Sequence, residues 1–461
     1  MMQTCSRSAL VLLGASIKSG EQVVLKGAGL GGMLNMETFI TGYSGHEHEH
    51  RAALAEVLGK EKAEFFSSRL IHHFFTEADA ALFASLGRHQ EEGFVLLDRI
   101  VDICARHNIY VILGLHAVPG GQNQDWHCDS GLSCALFWEF RDFQDRAIQL
   151  WEALAKHYAG NPVIAGYNPL NEPADPQHTR LQAWFERAEK AIRAIDPEHI
   201  LFVDGNTYAM DFRAFNPKKP PPNTVYSCHD HSMMGFPLPE QYEGTEDQKS
   251  KLRSSFNRKV EFMRQAGVPI WNGEFGPVYQ NPRIDPDAAV TNAKRFALLK
   301  EQLSFYRECG GVSWSIWLYK DIGYQGMVYL DPESPCMRLI QPFVEKKQKL
   351  GLDFWGVVDK SGVDGDVYGP FISKLKAMIP EHLHKKKYPN IWTFDRQVER
   401  TVRELLMSEY LGYEFAELFK DKTEEELEEL AASFAIETCR TRDELNDILR
   451  ADATQPTTSR A

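Results

Sequence analysis

The chain is predicted to be an α/β protein folded as a (β/α)8 TIM barrel, and three observations carry that expectation. Strand-like runs alternate with helix-like ones from residue 23 to about residue 350. The strand candidates are apolar on both faces, as parallel strands covered by helices are. The segments between them place apolar residues at i, i+3, i+4 and i+7, which gives a helix one buried face. Repeated βα units over about 330 residues suit a closed ring of eight.

Taken in order, "SALVLLGASI" and "QVVLKGAGLGG" flank the polar turn Lys18-Ser19-Gly20-Glu21-Gln22, which predicts an N-terminal hairpin. Polar residues stand where a signal-cleavage site needs small apolar ones. The hairpin is therefore preferred to a secretory leader, and a cytoplasmic location to a secreted one. The further strands are "IYVILGLHAVPG", "PVIAGYNPLNEP", "HILFVDGNTY", "TVYSCHDHS", "VPIWNGEFGP" and "GVSWSIWLYKD". Amphipathic runs such as "DFQDRAIQLWEALAKHYAGN" and "RLQAWFERAEKAIRAIDPEH" lie between them, and several end in Gly or Asn, as helix C-termini do. After about residue 355 the chain becomes charged and helical, with Thr423 and Glu426 spaced as a capping box. The expected division is a barrel domain over 10–355, a helical extension over 356–450 and a disordered tail over 451–461.

Net charge is −13 and pI about 5.7, an unfavourable balance for nucleic acid or an anionic membrane. No apolar run approaches the roughly 20 residues of a membrane-spanning helix. The eight cysteines are scattered, which suits a reducing compartment, although Cys128 and Cys134 could pair within one loop.

Barrel enzymes carry their reactive groups at the C-terminal ends of strands. Glu172 in "NPLNEP" is expected to end the fourth strand, and Glu274 in "WNGEFGP" the seventh. Two carboxyls facing across the mouth suit retaining glycoside hydrolysis, at a separation of about 5–5.5 Å. Asn171 could reach a sugar 2-hydroxyl, and Pro173 stops the strand. The competing reading makes Glu172 a cap on the following helix. In "GHEHEHRA", His46 and His50 have the i,i+4 spacing of a metal pair. With no matched partner elsewhere, a solvated helix entry is preferred, and neither a metal nor a cofactor is expected.

The motifs "KGAGLGG", "LHAVPGGQNQDW", "NPLNEP", "GEFG" and "SWSIWLYKD" occur in the order found in glycoside hydrolase family 5. The chain resembles that cellulase-like family, and its fungal glucanase and glucosidase members in particular, over roughly residues 10 to 350. The resemblance implies that Glu172 is the acid/base and Glu274 the nucleophile. It implies that Asn171 binds the 2-hydroxyl, that His116 and His229 line the subsite of the cleaved sugar, and that Trp317 is a stacking platform. His231 stands where the family commonly has a tyrosine touching the nucleophile. Trp126 is placed with the substrate contacts, and its neighbour His127 belongs either to the cleft or to solvent. The implied function is a retaining β-glycosidase acting on a β-glucan or β-glucoside, with carbohydrate as partner.

One departure bears on all of this. In "ASLGRHQEEGF" only Arg88 to Gly93 separate two helices, too polar for a strand buried on two faces. The barrel is expected to lack its second strand, together with the arginine that the resemblance places beside the nucleophile. Neighbouring strands must then close the gap, "RHQEEG" must fill it, or it stays hydrated. Without the arginine the Glu274 pKa is expected to rise and activity to fall. That makes a catalytically impaired barrel, binding carbohydrate or arising from a truncated gene product, the alternative reading.

Overall fold

The structure is a computed structural model describing residues 7–14, 24–33, 35–76, 78–79, 94–130, 134–238, 240–282, 285–350, 352, 364–384 and 394–454. Seven parallel strands form the barrel sheet: β2 (Lys26–Leu30), β3 (Ile109–Ala117), β4 (Ile164–Asn168), β5 (Ile200–Asp204), β6 (Thr224–His229), β7 (Ile270–Phe275) and β8 (Ser313–Ile316). Among the described residues no second parallel strand stands between β2 and β3, as expected, so the (β/α) barrel is incomplete.

The ring nevertheless closes, by a route outside the three considered. The hairpin's first strand, β1 (Arg7–Gly14), lies between β2 and β3 and runs antiparallel to both. Leu10 is registered with Leu30 on one side and Leu113 on the other. The intruding strand satisfies the backbone groups that two open edges would have exposed. "RHQEEG" lies outside the described residues.

Helices cover the sheet. Among them are α1 (Glu47–Leu58), α2 (Lys60–Phe74), α3 (Phe94–Arg106), α4 (Arg141–Tyr158), α5 (Arg180–Arg193), α6 (Glu246–Lys259), α7 (Ala288–Glu308) and α8 (Pro335–Leu350). The predicted stripes are the buried ones. In α4, Ala147, Ile148, Trp151, Leu154, Ala155 and Tyr158 face the sheet. Inside the ring, Ile112, Phe202 and Trp271 form one apolar layer from alternate strands β3, β5 and β7. Counting by twos up β3 and β5 from that layer reaches His116 and Asp204 at the mouth.

The C-terminal extension is part of the same packed body. Helix α9 (Phe394–Arg400) reaches the mouth; α10 (Ser408–Glu417) packs on α1, and α11 (Glu424–Ala432) on α2. The predicted capping box joins Thr423 and Glu426 at the start of α11. Strand β11 (Cys439–Thr441) completes a small sheet with β9 (Lys320–Asp321) and β10 (Val328–Leu330). Helix α12 (Asp443–Thr454) continues past residue 450, so the expected tail is helical at its start. Its Asp452 accepts hydrogen bonds from Lys26 Nζ at 2.9 Å and Trp314 Nε1 at 3.1 Å, beneath the barrel. No helix among the described residues is long and apolar enough to cross a membrane.

One expectation needs correction. His46 and His50 do stand at a helix entry, but both are buried rather than solvated. His50 stacks on Tyr43, ring centroids 4.4 Å apart, because Phe415 of α10 covers that face. Cys128 and Cys134 are free thiols.

Candidate active site

Strand β4 stops at Asn168, so Glu172 does not end it but sits four residues further on, in a pinned loop. Glu172 has φ of 46°, the left-handed region that side chains avoid. The surroundings hold it there. Its backbone N–H donates to Asp204 Oδ2 at 3.0 Å, and Asn123 Nδ2 donates to its carbonyl at 2.9 Å. Asn171 N–H donates to the Leu115 carbonyl at 3.0 Å. Glu172 caps no helix, since α5 begins at Arg180.

Glu274 lies within β7, where the pairing with β8 shifts register between Asn272 and Phe275. Such an irregularity changes which face a side chain takes. Phe275 consequently packs outward against Tyr306 and Trp314, and Glu274 turns into the mouth. One carboxylate oxygen of Glu172, one of Glu274 and a ring nitrogen of His231 all lie within 4.8 Å of one another.

A cavity of about 540 Å³ opens over this pair. His116, Trp126, Asn171, Glu172, His229, His231, Glu274 and Trp317 all line it. Trp317 lies flat against His116, with ring centroids 5.4 Å apart and planes 10° from parallel. A Cβ at position 29 would meet its Cε3 at 2.5 Å, so the glycines of "KGAGLGG" make room for the indole. Trp314, three residues earlier, points instead to Asp452. His127 belongs to the cleft, its Nε2 3.6 Å from Glu172 Oε2.

Histidines surround the two acids. His116 Nε2 is 3.5 Å from Glu274 Oε1, His231 Nε2 3.6 Å from Oε2, and His229 Nδ1 3.7 Å from Oε2. His229 Nδ1 is also 2.7 Å from Glu172 Oε1. Burial pushes the Glu274 carboxyl up, but His229 foremost, with His231 and His116, brings it down to about 2. The expected rise in Glu274 pKa is thus reversed, because imidazoles supply the favourable field expected of an arginine. Burial favours neutral His229, yet Glu274, Asp204 and Glu172 raise it to about 9. Burial lowers His116 to about 4 and raises Asp204 to about 6. Glu172, His231 and Glu274 are also spaced as a possible three-donor cation site.

Asp204, Asp125 and Arg400 were not anticipated. Asp204 ends the apolar run "HILFVD", the same signal that marks an acid at a strand end. Arg400 gives no such signal, lying in the charged stretch "DRQVER" of the extension. It pairs with Asp125 and places its guanidinium 5.4 Å from the Trp126 ring centroid in the cavity wall.

A parallel-stranded barrel with two glutamates facing across its mouth is an arrangement suited to glycoside hydrolysis. The chain belongs to glycosyl hydrolase family 5: the profile described as cellulase (glycosyl hydrolase family 5) matches residues 72–323. It is 50% identical to a "Beta-xylosidase" of Phanerodontia chrysosporium, over 95% of this chain and 96% of the relative. It is 24% identical to "Endoglucanase C" of Acetivibrio thermocellus, over 54% of this chain and 79% of the relative. A "Probable glucan 1,3-beta-glucosidase A" of Emericella nidulans is 30% identical, over 41% of this chain and 54% of the relative. The protein is a glycoside hydrolase of β-linked sugars.

Proposed function

We propose that the protein is a retaining β-glycosidase working by double displacement. The observation that carries this is the approach of a Glu172 and a Glu274 carboxylate oxygen to within 4.8 Å across the mouth. Carboxyl groups stand about 5–5.5 Å apart in retaining pairs and about 6.5–9.5 Å apart in inverting ones, and nearest oxygens this close favour the shorter class. Glu274, held ionised, is the nucleophile at the anomeric carbon. Glu172 protonates the leaving oxygen and then deprotonates the water. Asn171 binds the 2-hydroxyl, Trp317 stacks on a sugar face, and His116, His229, His231 and Trp126 line the remaining wall. The relative that matches nearly the whole chain favours a β-xyloside as substrate. A β-glucoside or β-glucan, implied by the motifs, is the second reading. The impaired-barrel alternative loses one of its supports, since the neighbouring imidazoles favour the Glu274 carboxylate.

The test is an assay on aryl β-xylosides and β-glucosides, following the first-formed anomer by NMR, with Glu274→Ala as control. Retention of configuration is expected. Turnover should be lost in Glu274→Ala and partly restored by azide, yielding the glycosyl azide of inverted configuration. An inverted first product from the wild type removes the mechanism.

A further inference from the structure

Asp204 closes β5 directly beneath the two glutamates and is 2% exposed. Its Oδ2 accepts the Glu172 backbone N–H at 3.0 Å and stands 3.5 Å from His229 Nε2. Its Oδ1 accepts from Asn168 Nδ2 at 2.7 Å. The other edge of the same imidazole presents Nδ1 to Glu172 Oε1 at 2.7 Å and to Glu274 Oε2 at 3.7 Å. A Cβ at position 273 would come within 2.8 Å of Nε2, so Gly273 lets the ring lie against β7. Three carboxylates from three different elements therefore converge on one buried imidazole.

We propose that His229 and Asp204 form a proton store behind Glu172. Asp204 is the positioning residue that keeps the imidazole protonated at both nitrogens, and the Nδ1 proton supplies Glu172. The proposal rests on the reading of Glu172 as acid/base. In the first step Glu274 forms a bond to the anomeric carbon as the bond to the leaving oxygen breaks. The Nδ1 proton crosses to Glu172, which delivers it to the leaving oxygen, and His229 is left neutral. In the second step water loses a proton to Glu172 while its oxygen displaces Glu274 from the anomeric carbon. That proton returns to Nδ1, so a turnover consumes none.

The groups facing the ring are Glu172, Asp204 and Glu274, with His116 from β3 and His231 just beyond β6. Asp230, next in the chain, is tied to Lys259 at 2.7 Å. The balance is anionic, and it raises His229 to about 9.

Asp204→Asn tests this: it keeps an acceptor for the Glu172 amide and removes the charge, at the cost of the hydrogen bond accepted from Asn168 Nδ2. The His229 midpoint, read by side-chain 15N NMR, should fall by about one unit or more. The alkaline limb of kcat/KM should fall with it. Loss of kcat should be about tenfold greater for poor leaving groups than for activated ones, with KM unchanged. An even loss across leaving groups, with the limb and the titration unmoved, overturns the proposal. Should the variant fail to fold, the wild type decides: its His229 midpoint and alkaline limb must coincide, and a separation of more than about one unit also overturns it. A wild type idle on every glycoside sinks the glycosidase reading, while the NMR shift still judges the Asp204–His229 pair by itself.

Discussion

Glu172 and Glu274 reach the same mouth by different devices, one through a left-handed turn held by Asp204 and the other through a register shift in β7. Their identities were legible because each acid follows an apolar strand-like run within a family motif, Glu172 in "NPLNEP" and Glu274 in "GEFG". Their backbone settings were not, since a positive φ and a register shift depend on neighbouring strands. Replacing Glu172 by Ala should cost substrates with poor leaving groups about 10²–10⁴-fold in kcat and spare activated aryl glycosides, measured as a leaving-group series. His50 makes a different prediction. Burial lowers its pKa from 6.5 to about 3, so the unfolded chain binds a proton between those values and the folded one does not. Its contribution to stability is complete above about pH 6.5 and declines as pH falls toward 3. The loss should be about 2 kcal/mol at pH 5. His50→Phe should flatten that acid decline in urea melts run from pH 7 to pH 5.

At the level of elements, β1 is the unusual piece. The run "ALVLL" identified a strand and its hairpin partner, but an apolar run reads the same in either direction, so nothing in it showed entry into the ring. The polar "RHQEEG" drew attention to a gap, while the strand that fills it lay some 75 residues upstream, at the start of the same sheet. Its role can be tested through the backbone alone. Val11 is registered with both Gly29 and Ile112. Val11→Pro removes a ladder donor and strains the pairing. Each buried group left without a partner costs about 1–3 kcal/mol, so the urea midpoint should fall while the transition stays cooperative. An unchanged midpoint would show that β1 does not hold the barrel closed.

For the molecule as a whole, the order of the barrel motifs was readable end to end, and the docking of the extension was not. Arg400 looks like a member of a solvated helical face and Asp452 falls in the expected disordered tail, yet one sits in the cavity wall and the other beneath the barrel. Asp452 also pairs with Arg307, so three elements meet at one buried carboxylate. Removing one partner of a buried ion pair costs about 3–5 kcal/mol, and the lower end applies because Arg307 is partly exposed. Asp452→Ala should therefore lower the melting temperature of the whole protein in one transition, with the site still able to turn over substrate below it. Calorimetry showing an early, separate transition would contradict a single cooperative body. The antiparallel course of β1 has a practical consequence too. Arg7 is registered with Ala117, at the rim beside His116, whereas α12 is pinned under the opposite end of the barrel. A solid support attached ahead of Arg7 would stand over the opening through which substrate must enter, and one attached after Thr454 would present that opening to the bulk. The direction of a single strand thus decides which end of the chain should anchor an immobilised catalyst.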